Sequence, residues 1–468
     1  MKKILRSVKW FFRYHPVVAG CMILCLISVL SWGAFDTWAK IKLRLTIRSI
    51  EREGVICQYS GFEERCTPSP GEILSEFSRI GEALSSAERK YMSDTGNFDV
   101  AAFVAGEGKL IEEADTFLDR NPQLFFVRDF AVTCQNELPE THYCRIWARI
   151  NAERFSLLTR EGRIEDAVRL FHLTARLRDY LLNDLSFFNG WLAAFAVERS
   201  RIELLSELAL TGEIAAFSPE QLRRWEQDAE TVEKVFRERL SAVAEGIMCM
   251  YSAIGMNPGQ FRMEARGPAN SRRWLPALFT RPIVRLDAAR ELEFCRESLR
   301  ILSATENLEQ VKEEIYSLKM KFFGFKPSSA AVIGSLLSND GSLELFPSAA
   351  GKVYAGLRTL RAGLAAERFL RDHGRPPATL EELVPEYLPE VPRNPFTGDP
   401  LKLESGRLER LLPAEQGMGQ FFPEKPEIEP FEGFRIYGGG DQAITPVGST
   451  RMSRRGELPV WCRRWKTE

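Results

Sequence analysis

Histidine is scarce in this chain of 468 residues: His15, His142, His172 and His373 are the only four, and each stands alone in sequence. That removes the paired histidines of an HExxH zinc helix. A GxSxG nucleophile elbow is absent as well, and Gly351-Lys352-Val353 has neither the upstream glycine nor the hydroxyl of a phosphate loop. Gly438 to Gly440 follow strand-like residues, yet the stretch from Asp441 to Val447 opens no helix, so the dinucleotide fingerprint fails. Nine cysteines are present without one CxxC spacing, which argues against zinc held by thiolates. An excess of positive charge is missing too. Lysine plus arginine number 63 against 64 acids, leaving no field to gather phosphate backbones, and nucleic acid is not an expected partner. No catalytic residue, cofactor site or metal ligand is assigned from these residues.

What remains is an ordinary globular composition, 44% apolar and 27% charged, on a chain two to four times a domain of roughly 100–200 residues. Only one long apolar run interrupts it. From Val17 to Phe35 there is no charge, and at about 1.5 Å per residue that run covers roughly 28 Å, close to the hydrocarbon thickness of about 30 Å. Lys2, Lys3, Arg6, Lys9 and Arg13 precede it, with Trp10, Phe11, Phe12 and Tyr14 suited to the interfacial layer. The expected order is a cytoplasmic basic segment at 1–16, a transmembrane helix at 17–35 and a large body beyond. Ser31 and Gly33 offer only a weak signal-peptidase site beside bulky Trp32, so the segment reads as an uncleaved anchor. Lys40, Lys42, Arg44 and Arg48 on the far side leave the charge rule almost balanced, and the cysteines then decide orientation. Cys57 with Cys66, and Cys134 with Cys144, bracket short polar loops and are candidate disulfides of an oxidising compartment. Cys249, Cys295 and Cys462 leave an odd thiol.

The body from 36 to 345 reads as helical. Ile41, Leu43, Leu45 and Ile47 alternate with polar residues, a period of two that favours a short strand over continuation of the membrane helix. Helices are expected over Pro70 to Met92, Val100 to Leu118, up to Leu158, Ile164 to Leu182 and Phe187 to Leu210. Gly162, Ala167 and Phe171 fall at the spacing of a tetratricopeptide (TPR-like) hairpin. Ser218-Pro219-Glu220-Gln221 has the form of a capping box opening a helix striped with Leu222, Trp225, Val232 and Phe236. Residues 257–281 form an arginine-bearing connection, and one helix is expected from Val284 to Met320.

The C-terminal module, 346–468, carries the most specific pattern. A helix from Ala349 to Asp372 is stopped by Gly374, Pro376 and Pro377; Leu380, Leu383 and Leu388 supply an apolar cluster; Pro395-Phe396-Thr397-Gly398-Asp399-Pro400 turns into Leu401-Lys402-Leu403. Phe434 to Tyr437 then reads as a strand closed by Gly438 to Asp441. This order resembles the head of type II secretion pseudopilins, and with the helical hairpins the chain looks like a broad group of membrane-anchored bacterial helical proteins without assigned activity. The resemblance marks Gly374, Pro377, Leu380, Leu383, Pro395, Phe396, Gly398, Pro400 and Asp441 as motif positions. Together with the apolar run, the cysteines and the helical periodicity, it gives the expectation of a mainly α fold ending in a small α+β module, placed in a bacterial inner membrane as a single-pass protein with its C-terminal domain in the periplasm. Calcium is not carried over: Asn394 stands where those heads have aspartate, and Asp441 lacks acidic neighbours. The expected role is a non-catalytic, membrane-anchored envelope scaffold or protein-binding protein, its partners the lipid bilayer and another envelope protein. An accessory component of a secretion system and an envelope hydrolase without a recognisable motif are the alternatives.

Overall fold

The computed structural model describes residues 15–57, 69–92, 98–126, 139–183, 188–256, 277–304, 307–323, 342–411, 428–438 and 461–464. The first helix, α1 (Pro16–Glu51), starts on a proline whose missing N–H is spared at a helix start, and it is long and apolar enough to cross a membrane. It does not stop at Phe35. The strand expected over 41–48 is instead the last third of this helix, because the alternating apolar residues serve two different faces. Leu43 and Ile47 are fully or nearly buried, in line with Ala39 and Ile50, whereas Ile41 and Leu45 are 51% and 59% exposed on the other side. Burial at spacings of three and four decides for helix over the local alternation.

Ten further α-helices follow among the described residues. They are α2 (Gly71–Tyr91), α3 (Val100–Gly106), α4 (Gly108–Arg120), α5 (Pro139–Arg160), α6 (Ile164–Asn183), α7 (Phe188–Thr211), α8 (Pro219–Met256), α9 (Ala277–Ala304), α10 (Leu308–Phe323) and α11 (Ser342–His373). The expected helix over 100–118 is broken at Glu107, between α3 and α4. Gly162, at φ +73°, makes the turn between α5 and α6, a backbone conformation that glycine adopts without strain. The capping box closes as read: Ser218 N–H donates to Gln221 Oε1 at 2.7 Å, and Gln221 N–H donates to Ser218 Oγ at 3.2 Å. The single helix expected from 284 to 320 is two, because Asn307 Oδ1 accepts from the N–H groups of Glu309 and Gln310 and so starts α10.

After α11 the chain forms an antiparallel sheet in the order β1 (Lys402–Leu411), β2 (Ile428–Tyr437), β3 (Trp461–Arg464). β3 was not anticipated. It is packed onto α7 and α11 by Trp461, whose indole occupies the space a side chain at Gly363 would need. One continuous hydrophobic core runs from Leu43 through the helices to Trp461. The basic connection over 257–276 and the glycine–aspartate loop with Asp441 lie outside the described residues.

Candidate functional site

The motif residues of the C-terminal module come together as a set of turns against α11. Gly374 ends that helix at φ +67°, and Pro377, Leu380, Leu383 and Leu388 are buried beneath the chain reversal. In the next turn Asn394 is the organiser. Its N–H donates to Asp399 O at 2.7 Å, its carbonyl accepts from Gly398 N–H at 2.8 Å, and its Oδ1 accepts from Phe396 N–H at 2.9 Å. Gly398 sits at φ +78°, Pro395 is buried, and Pro400 is exposed where it bridges back to Arg393. Phe396 presses its ring against Gly351 of α11, while Pro395 O accepts from Leu308 N–H, the first residue of α10, at 3.0 Å. The turn is therefore a fastener between α10 and α11, satisfying a backbone donor that a helix start leaves over.

Along α11 also runs a ladder of ion pairs to the antiparallel α8. Arg358 meets Glu233 at 2.8 Å, Arg361 meets Glu230 at 3.4 Å and Arg368 meets Glu226 at 2.6 Å. Two of these arginines, and Arg371 one turn beyond, also donate to backbone carbonyls: Arg358 to Arg393 O at 2.6 Å, Arg368 to Tyr387 O at 2.9 Å, and Arg371 to Ile214 O at 2.9 Å and Phe217 O at 2.5 Å. Each guanidinium thus joins two elements at once, which its planar fork of donors permits and an ammonium would not. Beneath the ladder Glu367 is almost wholly buried, with Arg463 Nε of β3 at 2.9 Å. Burial pushes its carboxyl up to about 7, against the pull of Arg463 and Arg371.

The densest polar cluster lies between α6, α7 and α8. Glu198 Oε2 accepts from Arg178 at 2.9 Å and from Arg201 at 2.6 Å, and Arg201 donates in turn to Asp228 at 2.8 Å. Arg178, Glu198 and Arg201 are all buried, and the Arg201 guanidinium also stands over the Phe171 ring, 4.1 Å from its centroid. Burial works to raise Asp228, but Arg201 and Arg178 outweigh it and hold the carboxyl below its usual range. His172, beside the cluster, is driven down by burial first and then by Arg201, so the neutral ring is favoured. Next to it Arg154 grips Asp115 through two bonds of 2.9 and 2.6 Å, and Asn151 donates to Thr174 Oγ1 at 3.2 Å. The void between these groups, lined by Asn151, Thr174, Ser200 and Arg201, measures about 10 Å³ and has room for one water at most. This cluster clamps three helices together. A wider depression of about 520 Å³ opens to solvent between α9 and α10, lined by Ile301 and Leu318 together with Glu313, Glu314 and Lys321.

Among the described residues no group of three or more His, Cys, Asp or Glu side chains could hold a metal ion. No disulfide forms among them either. Of the pairs expected from spacing, Cys66 and Cys134 lie outside the described residues, while Cys57 and Cys144 are buried in the core. Cys57 has Cys249 of α8 as its neighbour: the Cys249 thiol donates to Ile56 O at 3.7 Å, and Glu245 one turn earlier accepts from Ile56 N–H at 3.3 Å. Burial, then Glu51 and Glu245, push the Cys57 thiol up to about 12, and burial raises Cys249 as well. Sequence reading missed the ion ladder and the clamp. The only local trace of the ladder is the helical spacing of Glu226, Glu230 and Glu233 and of Arg358, Arg361 and Arg368. Comparison with known proteins finds no matching family model, no matching curated protein and no matching solved structure.

Proposed function

We propose that this chain is a membrane-anchored scaffold that holds a rigid helical body at a fixed height over a bilayer for a protein partner of the cell envelope. The observation that carries this reading is the continuity of α1. Its apolar part passes without a break into a segment bolted to α9, by Asp36 to Arg285 at one end and by Glu53 to Arg300, 3.1 Å apart, at the other. A flexible tether would let the body wander; a continuous helix with ion pairs at both ends of its contact transmits the tilt of the anchor to everything packed on it. An inner-membrane placement with the body in the periplasm belongs to this reading and is favoured only by a slight excess of cations ahead of the apolar run, five against four, while the α5–α6 hairpin supports a TPR-like, partner-binding use of the helical faces.

Proximity labelling from the C-terminus in intact cells, followed by pull-down from solubilised membranes, tests this. The expected result is a short, reproducible set of envelope proteins. Labelling of cytoplasmic proteins instead, or no specific partner in repeated pull-downs, counts against the reading. The order of long helix, proline-rich turn and antiparallel sheet supports a second reading, an accessory component of a pseudopilin-like secretion system. That reading expects a secretion ATPase or another pseudopilin in the labelled set.

A further inference from the structure

Helices α1 and α9 keep a constant sequence separation along their contact: 249 between Asp36 and Arg285, 247 between Thr46 and Glu293, and 247 again between Glu53 and Arg300. Two helices that hold one separation over such a length run parallel and in register, since each residue advances either axis by about 1.5 Å. α9 begins at Ala277, about two turns before Arg285. Its first residue is therefore level with Ser28 to Leu30 of α1, and Arg281 is level with Trp32 to Ala34, both inside the apolar run 17–35. Ser28 to Leu30 precede the outer end of that run, Phe35, by roughly 7–10 Å, a depth within the ~5–10 Å at which interfacial helices rest.

Two further facts bear on this turn and on the layer just beyond it. The first N–H groups of a helix have no partner within it, so they are costly in hydrocarbon and satisfied among headgroups and water. Positions 37–50 of α1 carry Lys40, Lys42, Arg44 and Arg48 and no carboxylate, with Trp38, Ile41 and Leu45 exposed between them. That pattern complements an anionic headgroup layer, whereas a second copy of the chain would bring like charges together.

We infer that the first turn of α9 is a second membrane contact, lodged in the headgroup layer of the leaflet on the side of the body, so that the body is seated on lipid. This rests on the reading that α1 crosses a bilayer. The test uses the full-length protein in vesicles of phosphatidylethanolamine and phosphatidylglycerol containing a lipid with a photoactivatable diazirine near the top of its acyl chain. Adduct sites are mapped by mass spectrometry after illumination. The expected result is adducts at 17–35 and also at 277–283, with α10 labelled at least several-fold less. Adducts at 17–35 alone overturn the second contact and leave the anchor standing; adducts at neither overturn both. Chain-to-chain cross-links at 277–283 in place of lipid adducts, or equal labelling of α10, overturn it as well.

Discussion

Removing Glu198 should be one of the most damaging single changes in the body. Its carboxylate is the shared acceptor of Arg178 and Arg201, and all three residues are buried, so Glu198→Ala leaves two guanidinium groups in the interior with only partly exposed Asp179 and Asp228 to answer them. Breaking a buried ion pair by deleting one partner costs about 3–5 kcal/mol, most of it the uncompensated charge. Unfolding entropy near 60 °C is about 2.1 cal/mol/K per residue, or roughly 1 kcal/mol/K for a chain of this length, so the expected fall in Tm is about 3–5 °C. Thermal unfolding of the protein in mild detergent, followed by tryptophan fluorescence, measures it. The control is the triple variant Arg178→Met, Glu198→Leu, Arg201→Met, which removes the three buried charges while keeping the volume, leaves Asp228 to the solvent it partly faces, and should recover most of the loss. A Tm for Glu198→Ala within 1 °C of the parent refutes the charge argument. A triple variant as unstable as the single one shows instead that the loss is one of packing.

Glu367 gives a pH signature. Its carboxyl holds its proton up to about 7 in the folded protein against an ordinary value of 4.5, so the folded state binds more protons in that window and stability falls as pH rises through it, by roughly 3 kcal/mol in all. Glu367→Gln should flatten the decline of Tm between pH 5 and pH 8; an unchanged slope would mean the carboxyl is ionised throughout. Gly363→Val places a branched side chain where the Trp461 indole packs, and overpacking of this kind costs about 1–3 kcal/mol. The readout is release of β3, seen as a red shift in tryptophan emission and as new proteolytic cleavage near 461. Cys57 and Cys249, buried and with raised thiol pKa, should resist maleimide at pH 8 in the folded protein and react within minutes in SDS, as counted by intact mass. Fast labelling of either in the native state would contradict their placement in the core.

Features governed by neighbouring residues were readable in the sequence. The Ser218 cap, the Gly162 turn and the stop at Gly374 all act within a few positions, and each is found where the residue types placed it. Features governed by distant partners were not. Ile41 to Arg48 alternates like a strand, and only the packing of α9 and of Gly255 against Leu43 shows which of the alternating residues face inward. β3 is four residues long and is held by a groove 98 positions earlier in the chain, at Gly363, so no local pattern announces it. The clamp joins Arg178 and Glu198 to Asp228 across three helices, and a charged residue inside a helix reads as solvent-facing until its partner is known.

The near-zero net charge conceals how the arginines are used. Arg358 and Arg368 pair with carboxylates on α8 and also reach carbonyls in turns, at Arg393 and Tyr387, and Arg371 reaches those of the 3-10 turn before α8; Arg463 from β3 and Arg176 from α6 reach last-turn helix carbonyls, Ala209 O of α7 and Leu118 O of α4. Helix ends leave their last carbonyls unsatisfied, and a cation placed there also opposes the negative end of the helix dipole. These contacts therefore join elements that hydrophobic packing alone would let slide, since apolar surfaces attract without direction. The same logic governs the seam between α1 and α9, where apolar packing through Leu43, Ile47 and Ala288 supplies area and the flanking ion pairs supply register. Register is what the proposed scaffold would need: with α8, α9 and α11 locked to one another and to α1, the tilt of every outward face follows the tilt of α1.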